Sequence, residues 1–130
     1  MRLLLDTHVF LWYIVADARL PAKFLAAIRD PANDVFLSVA SVWECVIKYQ
    51  AGKLPFPSPP ATYLPHHRDI HAIAGLPIDD GAMSHLGGLP PHHRDPFDRI
   101  LVAQALQHRL TLVTVDPLLA AYPAPLLPAS

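Results

Sequence analysis

Five carboxylates stand where their types and spacing could do chemistry together: Asp6, Glu44, Asp95, Asp98 and Asp116. Asp6 closes the apolar run "RLLLD", and Asp116 closes "LTLVTVD". Glu44 follows "DVFLSV" and falls in the first turn of the next helical stretch, while Asp95 and Asp98 open "DPFDRILVAQALQHR". In open α/β sheets ligands sit beyond the carboxyl ends of the strands, so acids far apart in sequence are expected to meet on one rim. Two carboxylates ~4 Å apart repel by roughly 4 kcal/mol at an effective dielectric near 20. Three or four of them need a cation to remain ionised together. Hard oxygen donors select Mg2+ or Mn2+. Such an ion can bind phosphate oxygens, orient a water and stabilise the leaving oxygen of an in-line displacement.

Each acid also has a structural reading. Asp95 before Pro96 is an N-cap followed by proline at the first helical position, Asp98 at the third position suits the helix dipole, and Asp116 before Pro117 repeats the cap. "SVWE" from Ser41 to Glu44 fits a capping box, and Glu44 can pair with Lys48 one turn later. Glu44 is nevertheless the only glutamate in the chain, set between Trp43 and Cys45 on an apolar helix, which points to a specific task. The adjacent pairs His66-His67 and His92-His93 tend to diverge and read as exposed loop residues, so a histidine-ligated metal is not expected. Trp12, Trp43 and Phe97 read as core packing, and Cys45 as a small core residue.

The elements that must position these residues follow from hydrophobic pattern. "RLLLD" is a short buried strand, followed by a helix from about Thr7 to Val15. "PAKFLAAIRD" is a helix with Pro21 at its start, and "DVFLSV" is a strand near residues 35 to 39. "SVWECVIKYQAG" is a helix stopping at Gly52. "ATYLPHHRDIHAIAGLPID" holds a short helix and a short strand near Ile73 to Leu76. "DDGAMSHLGG" is a short helix closed by Gly87 and Gly88, "DPFDRILVAQALQHR" the clearest helix and "LTLVTVD" the clearest strand. Strands that alternate with helices and read as buried on both faces predict a three-layer α/β/α sandwich around a central parallel sheet.

The 130 residues suit a single domain spanning residues 1–130, with 123–130 a proline-rich tail. A net charge of −1 gives no broad basic field to attract nucleic acid, so a polyanion must be held locally. The single cysteine rules out an intrachain disulfide and a four-cysteine zinc site. Asp6 and His8 interrupt the apolar N-terminal run, and no membrane-length stretch follows. The expectation is a cytoplasmic, soluble protein.

The chain resembles the PIN-domain ribonucleases, specifically the VapC-type toxins of type II toxin–antitoxin pairs. "LLLDTHVFLW" resembles the family's opening strand, with Asp6 as its aspartate. "VFLSVASVWECVIKYQAGKL" is similar to the second strand and acidic helix, with Glu44. "LPPHHRDPFDRILVAQA" is similar to the signature of one large subgroup, and "LTLVTVDPLLAAY" to the closing strand with Asp116. The resemblance implies a PIN-like fold and an Mg2+- or Mn2+-dependent endoribonuclease leaving a 5′-phosphate and a 3′-hydroxyl. It also implies a cognate antitoxin that inserts a segment into the active-site groove, and homodimerisation. By resemblance Asp6, Asp98 and Asp116 hold the metal, with Glu44 a ligand through water or the group that orients the attacking water. The family's run after the helix aspartate favours Asp98 over Asp95, which remains a secondary member or cap. Thr7 and Thr114 are candidate hydroxyls holding the carboxylates. His93, Arg94 and Arg99 are candidate RNA contacts, although both arginines could instead pair with Asp95 and Asp98. The tail "YPAPLLPAS" departs from the family in having no clear final strand.

Three rivals remain beside this reading. One is a PIN-like RNA-binding module without activity. A receiver-like Mg2+-binding signalling domain would want an aspartate after a central strand and a late lysine; "DVFLSV" ends without one, and no lysine follows Lys53. An aspartyl phosphatase would want a second aspartate two residues after Asp6, where His8 stands.

Overall fold

A computed structural model describes residues 1–130. Four strands, β1 (Arg2–Leu5), β2 (Asp34–Ser38), β3 (Ala74–Leu76) and β4 (Thr111–Val113), form one parallel sheet in the order β3-β2-β1-β4. Six helices connect them: α1 (Thr7–Ile14), α2 (Ala22–Arg29), α3 (Val39–Gln50), α4 (Pro60–Ile70), α5 (Asp80–Gly87) and α6 (Pro96–His108). A 3-10 turn at Pro117–Ala121 follows β4. No helix is long and apolar enough to cross a membrane.

The alternation of β1 builds the three layers. Successive strand residues face opposite sides. Leu3 and Leu5 therefore pack with Val9, Phe10, Phe24 and Ile28 of α1 and α2, while Leu4 packs with Leu101, Val102 and Ala105 of α6. All three leucines are fully buried, so this strand reads as a continuous apolar run. Ala40, Ala82, Ile100 and Ala103 form a smaller cluster where α3, α5 and α6 meet.

Chain order makes β1 the switch point. From β1 the chain moves outward to β2 and β3, and the α5–α6 connection then returns it to the other side of β1 as β4. Beyond the C-terminal ends of β1 and β4 the connections part in opposite directions and leave a crevice. Asp6 follows β1 directly, and Thr114 to Asp116 follow β4.

Three expectations need correction. Helix α3 begins at Val39, one residue after the β2 end, because Ser38 takes the N-cap and its hydroxyl accepts the Ala40 N–H at 3.0 Å. Glu44 therefore lies past the first turn and belongs to no capping box. The tail after Tyr122 forms no strand, but Leu112 donates to Pro125 O at 2.8 Å and accepts from the Leu127 N–H at 3.0 Å. Those two bonds cover the β4 edge with a single parallel bridge at Leu126. Trp43 is not a core residue: it is 56% exposed on the outer face of α3, with its ring edge-on to Phe97 at 5.1 Å. Trp12 is half-buried and lies at a cavity mouth.

Burial of β1 on both faces predicts that Leu4→Ala costs about 3 kcal/mol of unfolding free energy, read from urea denaturation. A cost under about 1 kcal/mol would contradict the packing against α6.

Candidate active site

The acids converge. A cavity of about 210 Å³ beyond the strand ends is lined by Asp6, Glu44, Asp95, Asp98 and Asp116, together with His8, Trp12, Lys48 and Val115. Four stretches of sequence supply these carboxyl groups and their neighbours, and each is held by its own local structure.

Asp6 occupies the N-cap position of α1 in extended conformation, yet its side chain makes no capping bond. It turns to the Thr114 hydroxyl, which donates to Oδ2 at 2.7 Å. The same hydroxyl oxygen accepts the Asp116 N–H at 3.0 Å, so Thr114 ties the ends of β1 and β4 together. Glu44 is 4% exposed and receives two donors: the Thr7 hydroxyl on Oε1 at 2.7 Å and the Lys48 ammonium on Oε2 at 2.6 Å. Lys48 is the i+4 partner that the helix spacing offers. The Thr7 hydroxyl also lies 2.9 Å from Ser41 Oγ, which links α1 to α3 beneath the cavity.

Asp95 is the N-cap of α6. Its Oδ1 accepts the Phe97 N–H at 2.9 Å and, more weakly, the Asp98 N–H at 3.5 Å. Asp116 caps the following turn through the Leu118 N–H on Oδ1 at 2.9 Å, and its Oδ2 faces His93 Nε2 at 2.9 Å. Asp98 is the exception. It makes no side-chain hydrogen bond of ordinary length, and its nearest donor is His93 Nε2 at 3.2 Å.

The electrostatics follow from this distribution of donors. Burial, then Asp6 and Asp95, push the Asp98 carboxyl up to about 7. Asp6 is also raised, chiefly by burial, with Glu44 adding to the effect and the Thr114 bond and His8 opposing it. Burial pushes Asp116 upward too, but the bonds from His93 and Leu118 outweigh it and hold this carboxyl below its ordinary value. Burial works against the Lys48 charge, yet Glu44 keeps that ammonium above its usual value. The Asp116 bond raises His93. Cys45 is fully buried and pushed up to about 12, chiefly by burial, so it is an inert core thiol.

Several positions differ from the sequence reading. His93 is no exposed loop histidine, because its side chain is 12% exposed and lies against Asp98 and Asp116. The signal for it was its place two residues before the Asp95 cap, which turns the loop back over the helix mouth. Arg99 pairs with neither Asp95 nor Asp98; it donates to Pro90 O at 3.0 Å, to Leu89 O at 3.5 Å and to the Tyr122 hydroxyl at 3.1 Å. Those bonds tie Arg99 to the start of the 89–93 loop. Arg94 is exposed and forms no side-chain bond. His67 and His71, four residues apart, form a spacing that attention to the adjacent pairs passes over. Their rings stack 6.1 Å apart against Tyr63 and Tyr13, well away from the acids. His8, Trp12 and Lys48 line the acid cavity without having been read as site residues.

A second cavity of about 360 Å³ adjoins the first and shares His8 and Trp12 with it. Leu11, Ile14 and Val15 of α1 form one wall, and Leu54, Pro55, Phe56 and Tyr63 form the other.

The profile of the PIN domain matches residues 3–124. Over 60 residues the chain is 38% identical to ribonuclease VapC16 of Mycobacterium tuberculosis, a match covering 46% of this chain and 43% of that protein. The fold superimposes on VapBC2 from Rickettsia felis bound to a DNA fragment from their promoter, with a TM-score of 0.69, 16% identity and 98% of each chain covered. It also superimposes on a toxin–antitoxin complex from Klebsiella pneumoniae, with a TM-score of 0.62 and 18% identity over 98% of this chain and 97% of that one. With a family profile spanning residues 3–124, nearly the whole length, this chain belongs to the PIN domain family.

Proposed function

We propose that this protein is a divalent-cation-dependent endoribonuclease and the toxin of a toxin–antitoxin pair. The observation that carries the reading is Asp98, a largely buried carboxylate that lacks donors of its own and faces other acids in a cavity at the sheet's switch point. Uncompensated charge of this kind is what a cation would satisfy. The donors fit Mg2+ or Mn2+, because the cavity offers carboxylate oxygens and no thiolate. Asp6, Asp98 and Asp116 would hold the ion, with Glu44 a ligand through water or the group that orients the attacking water. Once bound, the cation supplies activation of water and neutralisation of phosphate charge.

The chain's own residues do the rest. Thr114 and Thr7 fix the faces that Asp6 and Glu44 present, and Lys48 holds the other Glu44 oxygen at 2.6 Å. Arg94, exposed and next in sequence to the cavity-lining Asp95, would meet an RNA phosphate. The comparison with ribonuclease VapC16 supports RNA as the substrate. The solved toxin–antitoxin complexes support an antitoxin partner. Such a partner would reach the carboxylates with a basic side chain, forming charge-assisted bonds, while its apolar side chains fill the adjoining cavity between Trp12 and Phe56.

A second copy of the chain would cover α3. Val39, Trp43 and Ile47 recur every fourth residue and are 44%, 56% and 41% exposed, so they form one apolar stripe. Met83 of α5 is exposed to 44%. Large apolar side chains gathered in one stripe are characteristic of interaction surfaces.

Incubation of the purified protein with cellular RNAs in Mg2+, Mn2+ or EDTA, followed by end mapping, tests the activity. Cleavage should require the ion and leave 5′-phosphate ends. Asp98→Asn should lose more than about a hundredfold in rate, beyond what an outer partner of a metal ligand costs, and Asp95→Asn about tenfold or less. Wild-type cleavage by Asp98→Asn would contradict the ligand assignment, and RNA bound but uncut under every condition would leave only a binding module. For the stripe, sedimentation should give a dimer for the wild type and a monomer for Trp43→Lys with the melting temperature little changed. A monomeric wild type would contradict the dimer.

A further inference from the structure

The pair "HH" that precedes the α6 cap has no role in the account above, and His93 is the member that reaches the acids. Its Nε2, Asp98 Oδ2 and Asp116 Oδ2 lie within 4.8 Å of one another, a grouping that could itself hold a metal through the imidazole. The other ring nitrogen decides against that. Nδ1 accepts the Asp95 backbone N–H at 3.0 Å, so its lone pair is taken and it carries no hydrogen. In a neutral imidazole the single hydrogen then sits on Nε2. A nitrogen that carries a hydrogen has no lone pair to give a metal. Moving the hydrogen to Nδ1 would set it against the Asp95 N–H.

Nε2–H therefore donates. It donates to Asp116 Oδ2 at 2.9 Å, and Asp98 Oδ2 lies 3.2 Å from the same nitrogen, close enough for electrostatic attraction without a second hydrogen bond. The ring is also fixed from behind. The His93 backbone N–H donates to the Tyr122 hydroxyl at 2.9 Å, and Arg99 donates to that same oxygen. Tyr122 is buried, and its hydroxyl has two lone pairs for the two donors. The Asp95 cap, the Tyr122 hydroxyl and the Arg99 clamp thus all determine where His93 Nε2 points.

We propose that His93 is a positioning residue: as the Nε2–H tautomer it draws the carboxylates of Asp98 and Asp116 together, leaving an all-oxygen cation site in which it is not itself a ligand. The proposal rests on the reading of the acid cavity as a cation site. It assigns a role to the 89–93 loop, which would pre-orient two ligands that come from separate elements, α6 and the end of β4.

Two measurements test it. The ring-nitrogen chemical shifts of His93 in the metal-free protein, in mildly alkaline buffer, should report an unprotonated Nδ1 and a protonated Nε2; the opposite tautomer would overturn the proposal without any appeal to metal. Mn2+ binding is then followed by electron paramagnetic resonance. The wild-type complex should show no nitrogen directly coordinated to Mn2+. His93→Gln, which keeps a donor near the Nε2 position, should bind Mn2+ within about threefold of wild type, and His93→Leu about tenfold or more weakly. A coordinated-nitrogen signal that His93→Gln abolishes would make His93 a ligand, and wild-type affinity in His93→Leu would remove its positioning role. A folded wild type that binds no Mn2+ would overturn the cation reading and the positioning role with it, even where the nitrogen shifts still identify the donor.

Discussion

A carboxylate buried among carboxylates is the constraint on which this site depends. Asp98 enters the cavity from the first turn of α6, where the helix dipole favours its charge, but burial and the neighbouring Asp6 and Asp95 oppose that charge more strongly. Most of the surrounding structure distributes donors so that the other acids can tolerate this arrangement. Thr114 supports Asp6, Thr7 and Lys48 support Glu44, backbone N–H groups support Asp95 and Asp116, and His93 is shared. What these donors leave uncompensated is concentrated on Asp98.

Topology makes the arrangement possible. Parallel strands send their carboxyl ends to one rim, and the order β3-β2-β1-β4 opens a crevice where the chain reverses direction around β1. The threonines at the ends of that crevice connect the framework to the chemistry. The Thr114 hydroxyl donates to Asp6 and accepts from the Asp116 backbone, so the spacing of β1 and β4 sets where two of the acids stand. The small residues Ala40, Ala82 and Ala103 allow α3, α5 and α6 to approach closely beside the same rim, which brings Glu44 and Asp98 into one cavity.

Much of this was legible in the sequence because the relevant signals are local. The apolar run ending at Asp6, the proline-marked caps at Asp95 and Asp116, and the i+4 relation of Glu44 to Lys48 all survive in the fold. The parallel three-layer class followed from strands buried on both faces. What was not legible depends on contacts between distant segments. Ser38 captured the α3 start because β2 runs straight into the helix, which displaced the expected cap at Ser41. Trp43 has the spacing of a core residue but faces outward, since α3 presents Glu44 and Cys45 inward instead. Arg99 was drawn from the acids to the 89–90 carbonyls and Tyr122, and the tail's pairing with β4 involves two backbone bonds that no hydrophobic pattern announces. His93 joins the acids only because the loop before α6 folds back, which adjacent histidines alone do not encode.

If the cavity is strained by uncompensated carboxylate charge, its stability must carry the sign of that strain. The carboxyls of Asp98 and Asp6 are raised in the folded state, so between the ordinary carboxylate range and about 7 the native protein binds more protons than the unfolded chain. Stability then falls as pH rises through this window. A divalent ion needs the carboxylates deprotonated and should reverse the trend. The direct measurement is the melting temperature of the wild type and of Asp98→Asn between about pH 5 and pH 8, with and without Mn2+. The account predicts that the metal-free wild type melts lower as pH rises, that Mn2+ restores it most at the upper end, and that Asp98→Asn shows a shallower slope and little response to the ion. A metal-free wild type that becomes more stable across this range, or an Asp98→Asn variant that Mn2+ stabilises as much as the wild type, would contradict it.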